Sequence, residues 1–197
     1  MRETIAVFDF DGTLTRMDTF FMFLLFRFGY RGCLRGLWAN RGVLIRYLLR
    51  RVSNDEAKET VFAYFFAGMG IDEFDDACRS FSLAKVPGII RPRAMERCAW
   101  HVRNGHCVAI VSASVRNWIE PWAERNGIEA VIATEVGLDN GILTGRFSGK
   151  NCRGAEKVRR ILSWFPERGD YDLYAYGDSR GDREMLEFAD FPYYRFT

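Results

Sequence analysis

The 197-residue sequence predicts an α/β fold, a parallel sheet with helices on both faces, interrupted early by an all-helical insertion. Three observations carry that expectation. Strand-like and helix-like stretches alternate after Pro87, the pattern of a parallel sheet covered on both sides. From about Met17 to Lys85 the pattern is instead largely helical. Three strands end in polar clusters, Asp9/Asp11, Ser112/Ser114 and Asp178/Ser179/Asp182, and such sheets bind ligands beyond their strand ends.

The first strand begins around Thr4 and runs through apolar residues into "DFDGT", turning on Gly12. An unpaired ionised carboxylate in that apolar setting costs several kcal/mol, by rough estimate, so Asp9 and Asp11 require compensation, a metal ion first of all. "DTFFMFLLFRFG" and "RGVLIRYLLRRV" read as helices. "SNDEAKETVFAYFFAG" opens on a Ser53–Glu56 capping box and closes on Gly68. "IDEFDDACRSFSLAK" gives a fourth helix, stopped by Pro87–Gly88. Beyond it, "PRAMERCAWHVRNG" is helical, "HCVAIVSAS" a strand, "RNWIEPWAERNG" helical and "AVIATEV" a strand. "LDNGILTGRF" reads as a hairpin turning at Asn140–Gly141. The helix "AEKVRRILSWF", the strand "DLYAYGD", the short helix "GDREMLEFA" and a last strand near Phe191 to Phe196 complete the pattern. The expected division is a core of residues 1–16 and 87–197 with a helical cap over 17–86.

A hydrophobic content of 48% and a charged content of 27% are ordinary for a folded globular chain. The five cysteines are odd in number and scattered, without a CxxC pair, which argues for reduced thiols and against a disulfide frame or zinc site. A strand starting so early leaves no room for a signal peptide, so a cytoplasmic location is expected. His101 and His106 have no metal-ligand partner in the pattern. The net charge of +2 hides an asymmetry, because seven arginines and no acidic residue lie between Asp18 and Asp55. Removing those seven leaves 21 basic against 26 acidic residues. Arg27, Arg31 and Arg35 step by four, as do Arg46 and Arg50, so each set would line one helix face. Phe21, Met22, Leu25, Leu44 and Leu48 lie opposite, the pattern of a helix at a membrane surface. A solvated face is the other reading of the same arginines. Arg27 interrupts the apolar run well short of the roughly 20 residues that would span a bilayer. No nucleic-acid module is present, and no nucleic-acid partner is expected.

Asp9, Asp11, Asp178 and Asp182 would bring four carboxylates to one crevice. Hard oxygen ligands suit Mg²⁺, and a metal, a hydroxyl and a cation around one point equip a site for phosphoryl transfer. Lys157 is the expected cation and Ser112 the expected hydroxyl. "DFDGT", "IVSAS", "KNCRGAEKV" and "YGDSRGDREML", in this order and spacing, resemble the four motifs of the haloacid dehalogenase superfamily in its phosphatase branch. The helical insertion after the first motif is similar to the cap of the phosphoserine-phosphatase-like class. The resemblance implies a Rossmannoid parallel core with Asp9 as nucleophile and Asp11 as general acid and base. It implies Mg²⁺ held by Asp9, the Asp11 backbone carbonyl and Asp178, with Asp182 orienting a metal-bound water or Lys157. Ser112 and Ala113 would contact the substrate phosphate. Asp18 stands where phosphoserine phosphatases have a glutamate for the substrate amine. Such phosphatases often place the third-motif lysine where this chain has Arg153, which leaves Arg153 in reserve behind Lys157.

The implied activity is a Mg²⁺-dependent phosphomonoester hydrolase working through an aspartyl-phosphate. Its substrate would be a lipid headgroup phosphate, phosphatidylglycerophosphate-like, or a small alcohol phosphate. The arginine-rich stretch adds peripheral contact with anionic membrane at its inner face. Phosphoserine phosphatase is the alternative within this class. From another class stands a non-catalytic protein that binds membranes or polyanions.

Overall fold

The computed structural model describes residues 2–128 and 130–196; Met1, Glu129 and Thr197, which fall within the expected core ranges, lie outside the described residues. Six strands form one sheet: β1 (Glu3–Phe8), β2 (Cys107–Val115), β3 (Ala130–Asp139), β4 (Ile142–Ser148), β5 (Tyr171–Gly177) and β6 (Phe191–Tyr194). Their spatial order is β4-β3-β2-β1-β5-β6. All neighbours are parallel except β3 and β4, an antiparallel hairpin at one edge. That hairpin turns on Asn140 and Gly141, both with positive φ (48° and 79°), as its sequence predicts. β1 is central, so its carboxyl end lies between those of β2 and β5.

The period-two pattern of β1 divides the interior. Ile5 and Val7 face one apolar cluster with Ile161 and Met185, while Ala6 and Phe8 face another with Cys98 and Trp118. The first cluster lies under α7 (Ala155–Trp164) and α8 (Arg183–Phe188). The second lies under α5 (Pro92–Arg103) and α6 (Arg116–Arg125).

The insertion holds four helices, α1 (Thr19–Ala39), α2 (Arg41–Leu48), α3 (Asn54–Phe66) and α4 (Ile71–Ala84). The Ser53 side chain accepts from the Glu56 amide at 3.0 Å, the cap that the sequence signals. Two helices differ from expectation. α1 continues to Ala39 after a kink at Gly29 (φ 64°, ψ 178°), which only glycine adopts without strain. α2 stops four residues early, ahead of Arg50 at φ 55°. The kink separates Arg27 from Arg31 and Arg35, so these three do not form one continuous face. Arg27 instead pairs with Glu73 of α4 at 2.5 Å. The other six arginines of the stretch are exposed. No helix among the described residues is long and apolar enough to cross a membrane.

The insertion shares its interior with the sheet. Phe23 of α1 packs on Phe66, Phe74, Phe81 and the indole of Trp118 in α6, with ring centroids 5.0–5.9 Å apart. On the hairpin side, a Cβ on Gly145 would lie 2.9 Å from the Ala63 backbone, and Glu59 accepts from the Phe147 amide at 2.8 Å. Small residues at these contacts let α3 sit directly on β4.

Candidate active site

The crevice forms where β1, β2 and β5 end together. The backbone passes from Phe8 into Asp9, whose amide donates to the Tyr176 carbonyl at 2.9 Å, so the sheet holds Asp9 rigidly. After Asp11 the chain turns on Gly12 at φ 85°. A Cβ there would fall 2.7 Å from Asp178 Cγ, so glycine is needed for conformation and clearance alike.

Lys157, from the first turns of α7, is 1% exposed. Its ammonium donates to Asp9 Oδ1 (2.6 Å), Asp182 Oδ1 (2.6 Å) and the Val111 carbonyl (2.7 Å). Three acceptors match its three protons, which is how a buried ammonium stays charged. The two carboxylates raise its pKa in spite of burial. Burial drives the Asp9 pKa up to about 7, against the lowering influence of Lys157. Asp182 Oδ2 accepts from the Ser179 hydroxyl (2.8 Å) and from the Ser179 and Asp178 amides (3.0 and 3.2 Å). Both Asp182 oxygens are thus engaged, one holding Lys157 and the other the loop that carries Asp178. Its pKa falls although burial opposes it, because Lys157 and these donors favour the anion.

Asp178 is half-buried, and its Oδ1 is one of three buried side-chain polar atoms without a hydrogen-bond partner among the described residues. One carboxylate oxygen from each of Asp9, Asp178 and Asp182 lies within 4.8 Å of the others. Clustered hard donors with an orphaned buried oxygen fit a small divalent cation.

Asp11 points toward the insertion. Its Oδ1 accepts from the Thr19 amide at 2.8 Å, and its Oδ2 accepts from the Ser114 hydroxyl. Thr19 in turn donates to Ser114 at 3.2 Å and accepts from the Trp118 indole at 3.2 Å. Burial raises the Asp11 pKa, and nearby Asp18 adds to the shift. A register shift between Ser112 and Val115 marks the end of β2. There Ser112 is buried, its hydroxyl accepting from the Ser114 amide at 3.0 Å, and Ala113 lines the crevice. Asp18 caps α1 by accepting from the Phe21 amide at 3.0 Å, and it also borders the crevice. Arg153 is exposed and lines the same crevice, its side chain against Gly181.

Lys58 is the residue that sequence reasoning misses. It projects from α3 into the crevice and donates to the Ala113 carbonyl at 2.8 Å. Burial lowers its pKa, opposed by Asp11, Asp18, Asp55 and Asp9. Nothing in "DEAKET" distinguishes it locally from a solvated helix lysine; only the fold brings residue 58 to residue 113.

A central parallel sheet, a helical insertion after β1 and carboxylates at two adjacent strand ends with a buried lysine between them define a hydrolase of a known class. Residues 6–187 match the haloacid dehalogenase-like hydrolases. The protein CicA of Caulobacter vibrioides is 35% identical over 193 residues, covering 97% of this chain and 85% of its own. A Bordetella pertussis Tohama I protein of unknown function superposes with a TM-score of 0.82 at 25% identity, covering 95% of this chain and 87% of that one. A substrate-bound phosphoserine phosphatase gives 0.65 at 16% identity, over 98% of this chain and 86% of that one. The chain belongs to the haloacid dehalogenase-like hydrolases, and its fold is that of their phosphoserine-phosphatase-like branch.

Proposed function

We propose that the chain is a Mg²⁺-dependent phosphomonoester hydrolase acting through an aspartyl-phosphate on Asp9. The observation that carries this reading is Lys157 bridging Asp9 and Asp182 at 2.6 Å each, beside the unpartnered Asp178 Oδ1. Asp9, Asp178 and the Asp11 backbone carbonyl would hold Mg²⁺, with Asp182 behind them, and the ion would supply charge stabilisation to phosphoryl oxygens. An Asp9 carboxylate oxygen attacks phosphorus, and the bond to the leaving alcohol oxygen breaks. Asp11, with its raised pKa, gives that oxygen its proton. It then takes a proton from the water that splits the acyl phosphate and regenerates Asp9. Lys157 stays protonated throughout and offsets the charge gathered on Asp9 and the phosphoryl group, with Ser112 and the Ala113 segment as phosphate contacts.

Residues 17–86 serve as the cap, and Lys58 and Asp18 face the alcohol side of the substrate from it. A phosphorylated small molecule is the coarse substrate class. A lipid headgroup phosphate is the finer reading, favoured by the exposed arginines of α1 and α2 beside exposed Tyr30, Leu34, Trp38 and Leu48. That surface would also provide the peripheral contact with anionic membrane. Phosphoserine is the second reading, favoured by the placement of Asp18 at the crevice.

Phosphate release from a panel of phosphate monoesters, with Mg²⁺ and with a chelator, tests the proposal. Asp9→Asn should cut turnover at least ~10³-fold and abolish transfer of radiolabelled phosphate from substrate to protein. Near-normal turnover by the purified variant would refute the mechanism.

A further inference from the structure

The crevice continues past the carboxylates. One cavity of about 470 Å³ extends from Asp9, Ser112 and Lys157 into the insertion, where Leu24, Leu37, Leu44, Tyr47, Val61 and Phe65 line it. Cavities of this order enclose organic ligands. Most of its polar groups gather at the strand ends and around Lys58, whereas the stretch between α1, α2 and α3 is walled mainly by aliphatic and aromatic side chains, with Asn54 donating to the Tyr47 hydroxyl at 3.2 Å. Leu37 and Tyr47 are also solvent-exposed, so the chamber reaches the surface between α1 and α2.

Protein interiors pack to crystal-like density, and an apolar chamber without matching atoms forfeits dispersion contacts along its whole lining. α1 is kinked at Gly29 and gives way to α2 at Asn40, and the chamber lies among these two helices and α3. A small zwitterion held at Asp9 would leave this lining wetted. A hydrocarbon chain attached to the phosphate would cover it.

We infer that the chamber takes the apolar chain of the substrate, so that this enzyme acts on phosphate monoesters of hydrophobic alcohols, phosphate at Asp9 and chain along α1–α3. The inference rests on the phosphomonoesterase reading and names its substrate class. The chain source is either a single-chain amphiphile in solution or a lipid in a bilayer.

Calorimetric binding of alkylphosphonates from methyl to decyl, which need no turnover, gives the first test. Affinity should rise up to about fourfold for each methylene buried. Val61→Trp and, on a different helix, Leu44→Trp fill the chamber and should flatten that rise. The second test compares kcat/KM for alkyl phosphates below their aggregation concentration, for phosphatidate in phosphatidylcholine vesicles and for O-phosphoserine. Preference for either amphiphile over O-phosphoserine supports the assignment and identifies the source. Equal phosphonate affinities alongside hydrolysis of short esters would overturn the chamber assignment alone. So would a rise that survives in whichever filled variants fold. Phosphate release from no ester at all would instead overturn the hydrolase reading.

Discussion

An ammonium group shut away from water survives only where other oxygens replace its hydration, and Lys157 has three. The dependence is mutual, because Asp9 and Asp182 are themselves buried. Lys157→Ala would leave two buried carboxylates facing each other without a counter-ion. Removing one partner of such a set costs about 3–5 kcal/mol, and urea unfolding of the variant should show a loss of that order near neutral pH. Arg153→Ala, at an exposed position, should stay within about 0.5 kcal/mol of the parent. The opposite ranking would mean that Arg153, not Lys157, holds the carboxylates together. At this scale the sequence is informative where chemistry forces an unusual residue into an apolar strand end, as at Asp9 and Ser112. It is silent at Lys58 and Thr19, which look ordinary locally although they bond Ala113 and Ser114, 55 and 95 residues away.

Between elements, α5 is tied to the sheet through a polar link inside an aromatic cluster. His101 is buried on α5, with Nε2 3.0 Å from the Tyr176 hydroxyl of β5 and Nδ1 2.8 Å from His106 Nδ1. Burial, with His106 and Arg97 nearby, brings its pKa down to about 4. The folded protein therefore refuses a proton that the unfolded chain accepts below its ordinary value of 6.5. Protons bound to the unfolded state outnumber those on the folded state as pH falls from there toward 4, so stability drops over that window and levels off below it. The His101 contribution should approach about 3 kcal/mol. Measured as the difference between the parent and His101→Gln in urea titrations at several pH values, it should appear between pH 6.5 and 4; parallel curves would show that the imidazole does not titrate this way. Elements with strong periodicity or turn chemistry, such as the β3–β4 hairpin and α3, are legible in sequence. The second half of α1 is not, because Gly29, Gly32 and Gly36 look like breakers. Gly36 is helical for a packing reason: a Cβ there would strike the ring of Phe65.

At the scale of the whole molecule, the insertion and the sheet are joined by one aromatic interior in which Phe8, Phe10, Phe23, Phe62 and Trp118 belong to the same cluster. Unfolding should accordingly be a single cooperative transition, with tryptophan fluorescence and far-ultraviolet circular dichroism coinciding in denaturant. Two separated transitions would show that residues 17–86 melt independently. The alternation of strands and helices makes the parallel sheet readable from sequence, while its spatial order β4-β3-β2-β1-β5-β6 comes from the structure. The joint interior is not readable, because pairings such as Phe23 with Trp118 follow from tertiary packing alone. This shared interior also bears on how the scaffold could acquire new specificities. Transplanting the four helices onto a different sheet would strand Phe23, Phe66 and Phe74 without the indole of residue 118, and α3 without the small hairpin residue beneath it. New selectivity in this lineage is thus more accessible by resurfacing the lining of α1–α3 in place than by exchanging the insertion as a module.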